Sequence, residues 1–313
     1  MRAFPLDLVV SPVKTPAMAC GTLTIDLDAI AANWRALNAL SGANTDTGAV
    51  IKADGYGLGA ARVARALARS GARRFFGAVA EEGAELRQVL GRGPEIYVFS
   101  GHMPGDNDML NDLDLIPMLN SVEQLTRHFE SLGAAPFGIQ LDTGMNRLGL
   151  EPDEWAAVAG IALETGPKLI MSHLASADTP ESPQNADQLR QFREMTNGTG
   201  VPRSLSATGG ILLGPEYHFE LTRPGIGLYG GAPFAQAAAV AHVALPVVQT
   251  RIVEPGEGVG YNATWQAEQR SMIATVAGGY ADGLSRALSN GAMLYAEGVP
   301  CPLVGRVSMD LIT

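Results

Sequence analysis

The sequence has few cysteines and no long apolar run, and each shortage excludes a class of protein. Only two of its 313 residues are cysteines, Cys20 and Cys301, too few for a disulfide scaffold or a cysteine-rich metal site. No apolar run approaches the roughly 20 residues of a membrane-spanning helix. The start of the chain also lacks the long apolar region of a signal peptide. We therefore expect a cytoplasmic protein with reduced thiols, no membrane partner and no bound metal.

Charged residues are also scarce, and their balance argues against a nucleic-acid partner. They make up 17% of the chain, whereas apolar residues make up 46%. The 22 Lys and Arg residues against 32 Asp and Glu residues give a formal net charge of −10. A protein of this charge would repel the phosphates of a nucleic acid. The apolar content excludes disorder, and the length suits one large barrel or two domains.

Strand-like and helix-like patterns alternate through the first two thirds of the chain. Eight strand-like runs lie between residues 22 and 208, beginning with TLTIDL at 22–27, and helical spacing follows most of them. This alternation favours parallel strands joined by crossover helices, and eight such units are the size of a barrel. We predict an α/β protein with a (β/α)8 TIM-like barrel over 21–243, after an N-terminal tail at 1–20. An open, doubly wound sheet is the alternative.

The pattern changes after His242. The remaining sequence is rich in β-forming residues, is interrupted by Gly and Pro, and has no helical period. We predict a smaller, mostly β C-terminal domain over 244–313. A domain of this size is marginally stable alone, so we expect it to pack on the barrel or on another subunit.

Five polar residues stand where predicted strands end. In a parallel barrel, active sites collect at the carboxyl ends of the strands, so these residues would share one rim. They are Lys52, Arg147, His173, Ser206 and Arg223. Lys52, which ends the apolar run GAVIK, has two readings. It is either a strand-end lysine that reaches solvent, or an amine that forms Schiff bases.

The segment around Lys52, AVIKADGYGLG, resembles the cofactor-lysine motif of alanine racemases, which are barrel-type pyridoxal-phosphate enzymes. Six further segments resemble motifs of that family and follow in the family's order: LDTGMNRLGL, MSHLASAD, LTRPGIGLYG, GVGYNATW, GGYADG and VGRVSMD. One motif alone would be weak evidence, but the ordered set extends from Ala49 to Asp310. The resemblance implies an amino-acid racemase, an isomerase that interconverts L-alanine and D-alanine and supplies D-alanine for peptidoglycan.

The same resemblance implies a cofactor, two catalytic residues and a second subunit. Lys52 would bind pyridoxal 5′-phosphate and act as the base on the D-alanine face. Tyr261, in GVGYNATW, would act on the opposite face, because inversion needs a second acid or base there. In this family the tyrosine comes from the partner subunit, so a homodimer with a shared active site is implied.

The remaining site residues are also implied by the resemblance. Arg147, Met309 and Tyr280 would bind the amino-acid substrate, and Arg147 would also contact the phenolic oxygen of the cofactor. Arg223 would face the pyridine nitrogen and, as a donor only, would keep it unprotonated. The cofactor-binding set is Lys52, Tyr56, His173, Ser206, Arg223, Gly225 and Ile226.

The sequence departs from the family pattern in three places. Gln140 stands where the family often has a lysine, and Leu205-Ser206 stands where it often has Asn-Ser. Family members usually continue for several tens of residues beyond SMD, whereas this sequence stops at Thr313. From this we expect an incomplete C-terminal domain, and weaker cofactor binding, dimerisation and activity.

Two alternatives remain. One keeps the fold but changes the substrate: a serine racemase, a broad-spectrum racemase or a barrel-type decarboxylase. Arg223 disfavours the decarboxylase, since those enzymes place a carboxylate near the pyridine nitrogen. The other is a non-catalytic pyridoxal-phosphate-binding protein, which would resemble the barrel alone, and the motifs after residue 244 disfavour it.

Overall fold

The computed structural model describes residues 7–8, 21–133 and 135–313. These residues form two compact units. One unit contains residues 27–240, and the other combines 241–313 with the described residues that precede Leu27.

The secondary structure of the described residues alternates in the larger unit and is mostly β in the smaller one. The strands are β1 (Asp7–Leu8), β2 (Thr22–Ile25), β3 (Asp46–Thr47), β4 (Ala49–Val50), β5 (Arg74–Gly77), β6 (Glu95–Val98), β7 (Leu115–Leu119), β8 (Gly138–Gln140), β9 (Ile170–Met171), β10 (Arg203–Ser204), β11 (Leu221–Thr222), β12 (Ala241–Ala244), β13 (Val247–Val253), β14 (Gly258–Val259), β15 (Trp265–Gln266), β16 (Ser271–Ala277), β17 (Met293–Ala296), β18 (Val299–Pro302) and β19 (Leu311–Ile312). The α-helices are α1 (Leu27–Leu40), α2 (Lys52–Tyr56), α3 (Ala60–Ser70), α4 (Ala80–Leu90), α5 (Asn107–Asp112), α6 (Val122–Ser131), α7 (Pro152–Thr165), α8 (Pro183–Thr196) and α9 (Thr208–Leu213). Short 3-10 helices are η1 (Pro215–Tyr217), η2 (Ile226–Tyr229), η3 (Tyr261–Ala263), η4 (Tyr280–Asp282) and η5 (Arg286–Leu288).

The larger unit is a TIM-like barrel. Seven parallel strands, β4 to β10, pair in chain order. The short strand β11 lies between the two ends of this sheet. It pairs in parallel with β3, and the N–H of Gly48 donates to the carbonyl of Thr222 at 2.9 Å. On its other side the N–H of Arg223 donates to the carbonyl of Ser206 at 2.8 Å. The predicted (β/α)8 architecture is confirmed.

The first strand predicted for the barrel belongs elsewhere. TLTI forms β2, which pairs antiparallel with β12 in the smaller unit. The strand that completes the barrel is β11, from the sequence FELTR. The physical reason is burial: β2 exposes its two central residues and half-buries its ends, as suits an antiparallel sheet, whereas barrel strands are apolar on both faces.

An apolar cluster fills the inside of the barrel. Its members lie on the barrel strands or directly beside them: Val50, Phe76, Tyr97, Ile116, Met118, Leu169, Met171 and Leu221. The rings of Phe76 and Tyr97 are stacked with centroids 4.8 Å apart. A second cluster, which includes Trp155 and Phe192, packs α7 and α8 against the outside of the sheet. The interior of the barrel is therefore a packed core, and a functional site is expected at the rim, where the strands end.

The smaller unit is mostly β, as predicted. One three-stranded sheet is antiparallel, in the order β13, β16, β19. In a second three-stranded sheet, β17 forms a hairpin with β18 and a parallel pair with β1. Apart from residues 7–8, the predicted tail at 1–20, with Cys20, lies outside the described residues. Among the described residues, no helix combines the length and apolar character needed to cross a bilayer.

Candidate active site

A cavity of about 370 Å³ lies where the barrel strands β4, β9, β10 and β11 end. Six of the seven residues predicted to bind a cofactor line it: Lys52, Tyr56, His173, Arg223, Gly225 and Ile226. The structure therefore brings together an amine, a phenol, an imidazole and a guanidinium, as the strand-end argument requires.

Lys52 is presented by an unusual backbone turn. It follows β4 and Ile51, opens α2, and its side chain is exposed rather than buried in the strand. The residues after it adopt left-handed conformations, with φ of 53° at Ala53, 51° at Asp54 and 58° at Tyr56. Each non-glycine residue in this region costs about 1–2 kcal/mol. The turn directs the chain away from the strand and leaves the amine in the cavity.

Arg223 is buried, with 2% of its surface exposed. Its Nη2 donates to the carbonyl of Ser172 at 2.7 Å, and its Nη1 donates to the hydroxyl of Ser204. Burial lowers the pKa of Arg223 to about 9, so the guanidinium remains protonated at neutral pH. The cavity therefore has a fixed cation at its wall that can only donate hydrogen bonds.

His173 stands among cations and is neutral. Burial lowers its pKa to about 3, assisted by the positive charges of Arg223, Arg147 and Lys52. Its backbone carbonyl accepts a hydrogen bond from Nε2 of Gln188 at 2.9 Å. A neutral imidazole has one N–H donor and one acceptor nitrogen, whereas a charged imidazole has two donors and no acceptor.

A glycine turn approaches the cavity from the end of β11. A Cβ on Gly225 would collide with Oη of Tyr56, so a larger residue there would displace the Tyr56 side chain. The N–H groups of Gly225 and Gly227 donate to the hydroxyl of Thr208 at 3.2 and 3.1 Å. The N–H of Ile226, between them, has no acceptor among the described residues. The N–H of Ile226 and the hydroxyl hydrogen of Thr208 therefore remain as donors that suit an anion.

Ser206 is placed differently from the prediction. It is fully buried, and its hydroxyl donates to the carbonyl of Tyr217 at 2.7 Å, so it does not line the cavity. Thr208, two residues later, lines it instead. The sequence predicted the hydroxyl of Ser206, which ends the strand. It did not indicate the hydroxyl of Thr208, which begins α9. The signal that could have identified Thr208 is the Gly209-Gly210 pair after it, because these glycines let the start of α9 pack closely against Ala177 and Ser206.

Arg147 lies in the loop between β8 and α7 and is exposed. Gln140 does not act on the arginine side chain: its Nε2 donates to the carbonyl of Leu148 at 3.2 Å. The carboxylate of Asp142 accepts the N–H groups of Gly144 and Met145 at 2.8 and 2.9 Å. Gln140 and Asp142 therefore hold the backbone of the loop. Arg147 is close enough for its charge to lower the pKa of His173.

The other three predicted site residues belong to the smaller unit, and all are exposed. Tyr261 opens η3 and is 70% exposed; Met309 is 60% exposed and Tyr280 47%. The N–H of Tyr280 donates to the carbonyl of Ser308 at 3.0 Å, and the N–H of Ala281 to that of Met309 at 2.8 Å. These bonds join the GGYADG and VGRVSMD segments within the unit.

Comparison with known proteins identifies relatives over nearly the whole chain. The family model "Alanine racemase, N-terminal domain" matches residues 25–233, and "Alanine racemase, C-terminal domain" matches residues 240–313. An alanine racemase from Cereibacter sphaeroides is 71% identical over 296 residues, which is 95% of this chain and 85% of the relative.

Solved structures similar to this chain are also alanine racemases. An alanine racemase from Bartonella henselae with covalently bound pyridoxal phosphate has a TM-score of 0.84 at 36% identity, covering 94% of this chain and 85% of that one. The biosynthetic alanine racemase from Pseudomonas aeruginosa has a TM-score of 0.85 at 32% identity, with the same coverage of 94% and 85%.

Proposed function

The chain belongs to the alanine racemase family and is an amino-acid racemase, and we propose that it interconverts L-alanine and D-alanine by a two-base mechanism. The single observation that carries the proposal is the cavity in which the amine of Lys52, the neutral imidazole of His173 and the buried guanidinium of Arg223 meet. The amine can act as a base toward the α-proton of an amino acid, and the cation and the anion-binding turn can hold a negatively charged group nearby.

The chemistry of the cavity fits pyridoxal 5′-phosphate, the cofactor of this family. The amine of Lys52 can bind its aldehyde carbon. The hydroxyls of Tyr56 and Thr208 and the N–H of Ile226 would hold its phosphate, and Gly225 would let the backbone approach it closely. When bound, the cofactor supplies an electron-withdrawing ring that makes the α-proton of an amino acid acidic.

The residues of this chain would then divide the work of proton transfer. Lys52, once displaced by substrate, would remove or return the proton on the D-alanine face of Cα. Tyr261 would do so on the opposite face, and its exposure leaves its hydroxyl available. Hydrogen-bonding or positive neighbours would help the phenolic hydroxyl of Tyr261 to act as a base.

Two arginines would orient the cofactor and the substrate. Arg223, which donates but cannot accept, would leave the ring nitrogen unprotonated and so limit electron withdrawal, which disfavours side reactions such as transamination. Arg147 would hold the substrate carboxylate through a planar pair of N–H groups. The N–H of Met309 and the ring of Tyr280 would complete the carboxylate site.

We further propose a homodimer in which each subunit lends Tyr261 to its partner, a cytoplasmic location and a role in supplying D-alanine for peptidoglycan. The motifs of the smaller unit support the dimer, because Tyr261, Tyr280 and Met309 are all solvent-exposed there. Cys301 is a free and exposed thiol, which suits a reducing compartment.

The test is racemisation of alanine in both directions with pyridoxal 5′-phosphate added. We expect Lys52→Ala to abolish racemisation, since the amine both binds the cofactor and moves the proton. Lys168→Ala is the matched control: Lys168 is also exposed but lies outside the cavity. Racemisation by Lys52→Ala at the parent rate, without an added amine, would refute the proposal. A panel with serine decides between alanine and a broader substrate range.

A further inference from the structure

The chain directly after Lys52 is held in a strained conformation. From Ala53 to Gly57 every residue has a positive φ, and three of these five residues are not glycine. Residues with a Cβ disfavour the left-handed region. A turn of this kind persists only where its surroundings hold it, so the groups that hold this one also determine where Lys52 stands.

Within the turn, Asp54 accepts the N–H of Ala60 at 2.7 Å. From another element of the barrel, the turn is held by the carboxylate of Glu82, the third residue of α4. Its Oε1 accepts the N–H of Ala53 at 2.7 Å, and its Oε2 accepts the N–H of Ala78 at 2.6 Å. Ala53 follows Lys52, and Ala78 follows β5. One carboxylate therefore joins the ends of two neighbouring barrel strands through two charge-assisted hydrogen bonds.

The backbone is anchored on both sides of the lysine. Before it, the N–H of Ile51 donates to the carbonyl of Phe76 at 2.8 Å, which is part of the β4–β5 ladder. After it, Ala53 is bound by Glu82. Of these two anchors, only the second uses a side chain, and it acts on the strained turn.

We propose that Glu82 is a positioning residue for Lys52: by accepting the N–H of Ala53 it holds the left-handed turn that directs the lysine amine into the cavity. The inference rests on the proposed function in assigning the cofactor to Lys52. Glu82 itself does not line the cavity and touches no reacting atom.

The competing explanation is that Glu82 only caps α4. Acidic residues are favourable in the first turn of a helix, and the bond to Ala78 fits that role. The bond to Ala53 does not, because Ala53 belongs to another element. Glu81 provides a matched control: it carries the same charge in the same turn of α4, is exposed, and has no bond to the Lys52 turn among the described contacts.

The first test compares Glu82→Gln with Glu81→Gln. An amide of the same length can accept at only one of its two atoms, so one backbone N–H loses its acceptor. Each apoprotein is mixed with pyridoxal 5′-phosphate, and formation of the covalent adduct at Lys52 is followed by absorbance, borohydride trapping and peptide mapping. We expect Glu82→Gln to slow adduct formation about tenfold, the change that a lost hydrogen bond to a charged group produces, and Glu81→Gln to match the parent.

The second test is rescue. Glycine adopts positive φ without penalty, so Ala53→Gly removes strain that Glu82 would otherwise have to offset. In the Glu82→Gln background, Ala53→Gly should recover part of the lost rate of adduct formation. If Glu82 only caps α4, Glu82→Gln lowers the melting temperature but leaves the adduct rate at the parent value, and that result overturns the inference.

The outcomes separate this inference from the proposed function. A parent protein that forms the Lys52 adduct but does not racemise alanine contradicts the proposed function, while the comparison of adduct rates remains valid. A parent that racemises, with Glu82→Gln forming the adduct at the same rate, contradicts the positioning role alone. Should Glu82→Gln fail to fold, Glu82→Asp carries the same comparison, because it keeps the charge but is too short to bind both N–H groups.

Discussion

At the scale of single residues, the cavity holds a charged group, Arg223, beside a neutral one, His173. Arg223 keeps its charge because two buried acceptors, the carbonyl of Ser172 and the hydroxyl of Ser204, compensate it. His173 loses its charge because burial and three nearby cations oppose protonation. Pairs of groups whose environments push their protonation states apart are typical of catalytic sites.

The neutral state of His173 predicts a pH dependence of stability. Its folded pKa of about 3 lies below the unfolded value of about 6.5, so the unfolded chain binds the proton more readily. The stability associated with this group is complete above pH 6.5 and declines as the pH falls toward 3. Between pH 6.5 and pH 5 the loss is at most about 2 kcal/mol.

Denaturant unfolding of the apoprotein at pH 7 and at pH 5 measures this effect. His173→Gln should lose less free energy of unfolding than the parent over that interval. His242→Gln serves as the control, since His242 lies at the partly exposed strand β12. Equal losses in the parent and in His173→Gln would show that the imidazole is not the group responsible.

Not every residue that lines the cavity could be predicted from the sequence. Lys52, His173 and Arg223 could be predicted because each ends an apolar strand, where a parallel barrel places its functional groups. Ser206 satisfies the same rule, but its hydroxyl donates to the carbonyl of Tyr217 and does not line the cavity. Which of two nearby hydroxyls faces a cavity depends on packing between distant segments, and no local pattern records it.

At the scale of elements, α8 holds two loops of the barrel rim. The Oε1 of Gln188 accepts the N–H of Ala175 at 2.8 Å, which fixes the orientation of the amide. Its Nε2 then donates to the carbonyl of His173 at 2.9 Å and to the hydroxyl of Thr143 at 3.3 Å. Since Thr143 begins the loop that carries Arg147, one buried amide couples the Arg147 loop to the His173 loop.

This coupling predicts that Gln188→Met damages both stability and activity. Methionine fills a similar volume but makes none of the three hydrogen bonds, so the free energy of unfolding should fall by about 2–4 kcal/mol, at roughly 1 kcal/mol per bond. Racemase kcat should fall with it, because His173 and Arg147 lose a shared anchor. Gln191→Met, in the same helix, is the control, and a variant as stable and active as this control would contradict the coupling.

Elements were predicted unequally well, for physical reasons. The helix α3 ends at Ser70, directly before Gly71, and its apolar residues follow a helical period, so local signals suffice to predict it. The barrel strand β11 is only two residues long, so the sequence predicted where it ends, at Arg223, but not that it completes the barrel. The first strand was misplaced because alternation identifies a half-buried strand but does not reveal its partner.

At the scale of the whole molecule, the proposed dimer predicts complementation between two inactive variants. Lys52→Ala lacks the amine and Tyr261→Phe lacks the phenolic hydroxyl, so each homodimer should be inactive. A hybrid of the two has one site with neither group and one site with both, provided that the lysine and the tyrosine of a site come from different subunits. Random exchange makes half of the dimers hybrids, and each has one intact site of two, so activity should return to about a quarter of the parent value.

The measurement is a racemase assay after the two variants are unfolded together and refolded, or co-expressed with different tags and purified for the hybrid. The tag-selected hybrid should reach about half of the parent activity per dimer, because one of its two sites is complete. Mixing Lys52→Ala with Lys52→Ala/Tyr261→Phe is the control, since no pairing of those chains contains the amine. A hybrid as inactive as this control would mean that Lys52 and Tyr261 act within one chain, and the shared site would be refuted even if the protein racemises alanine.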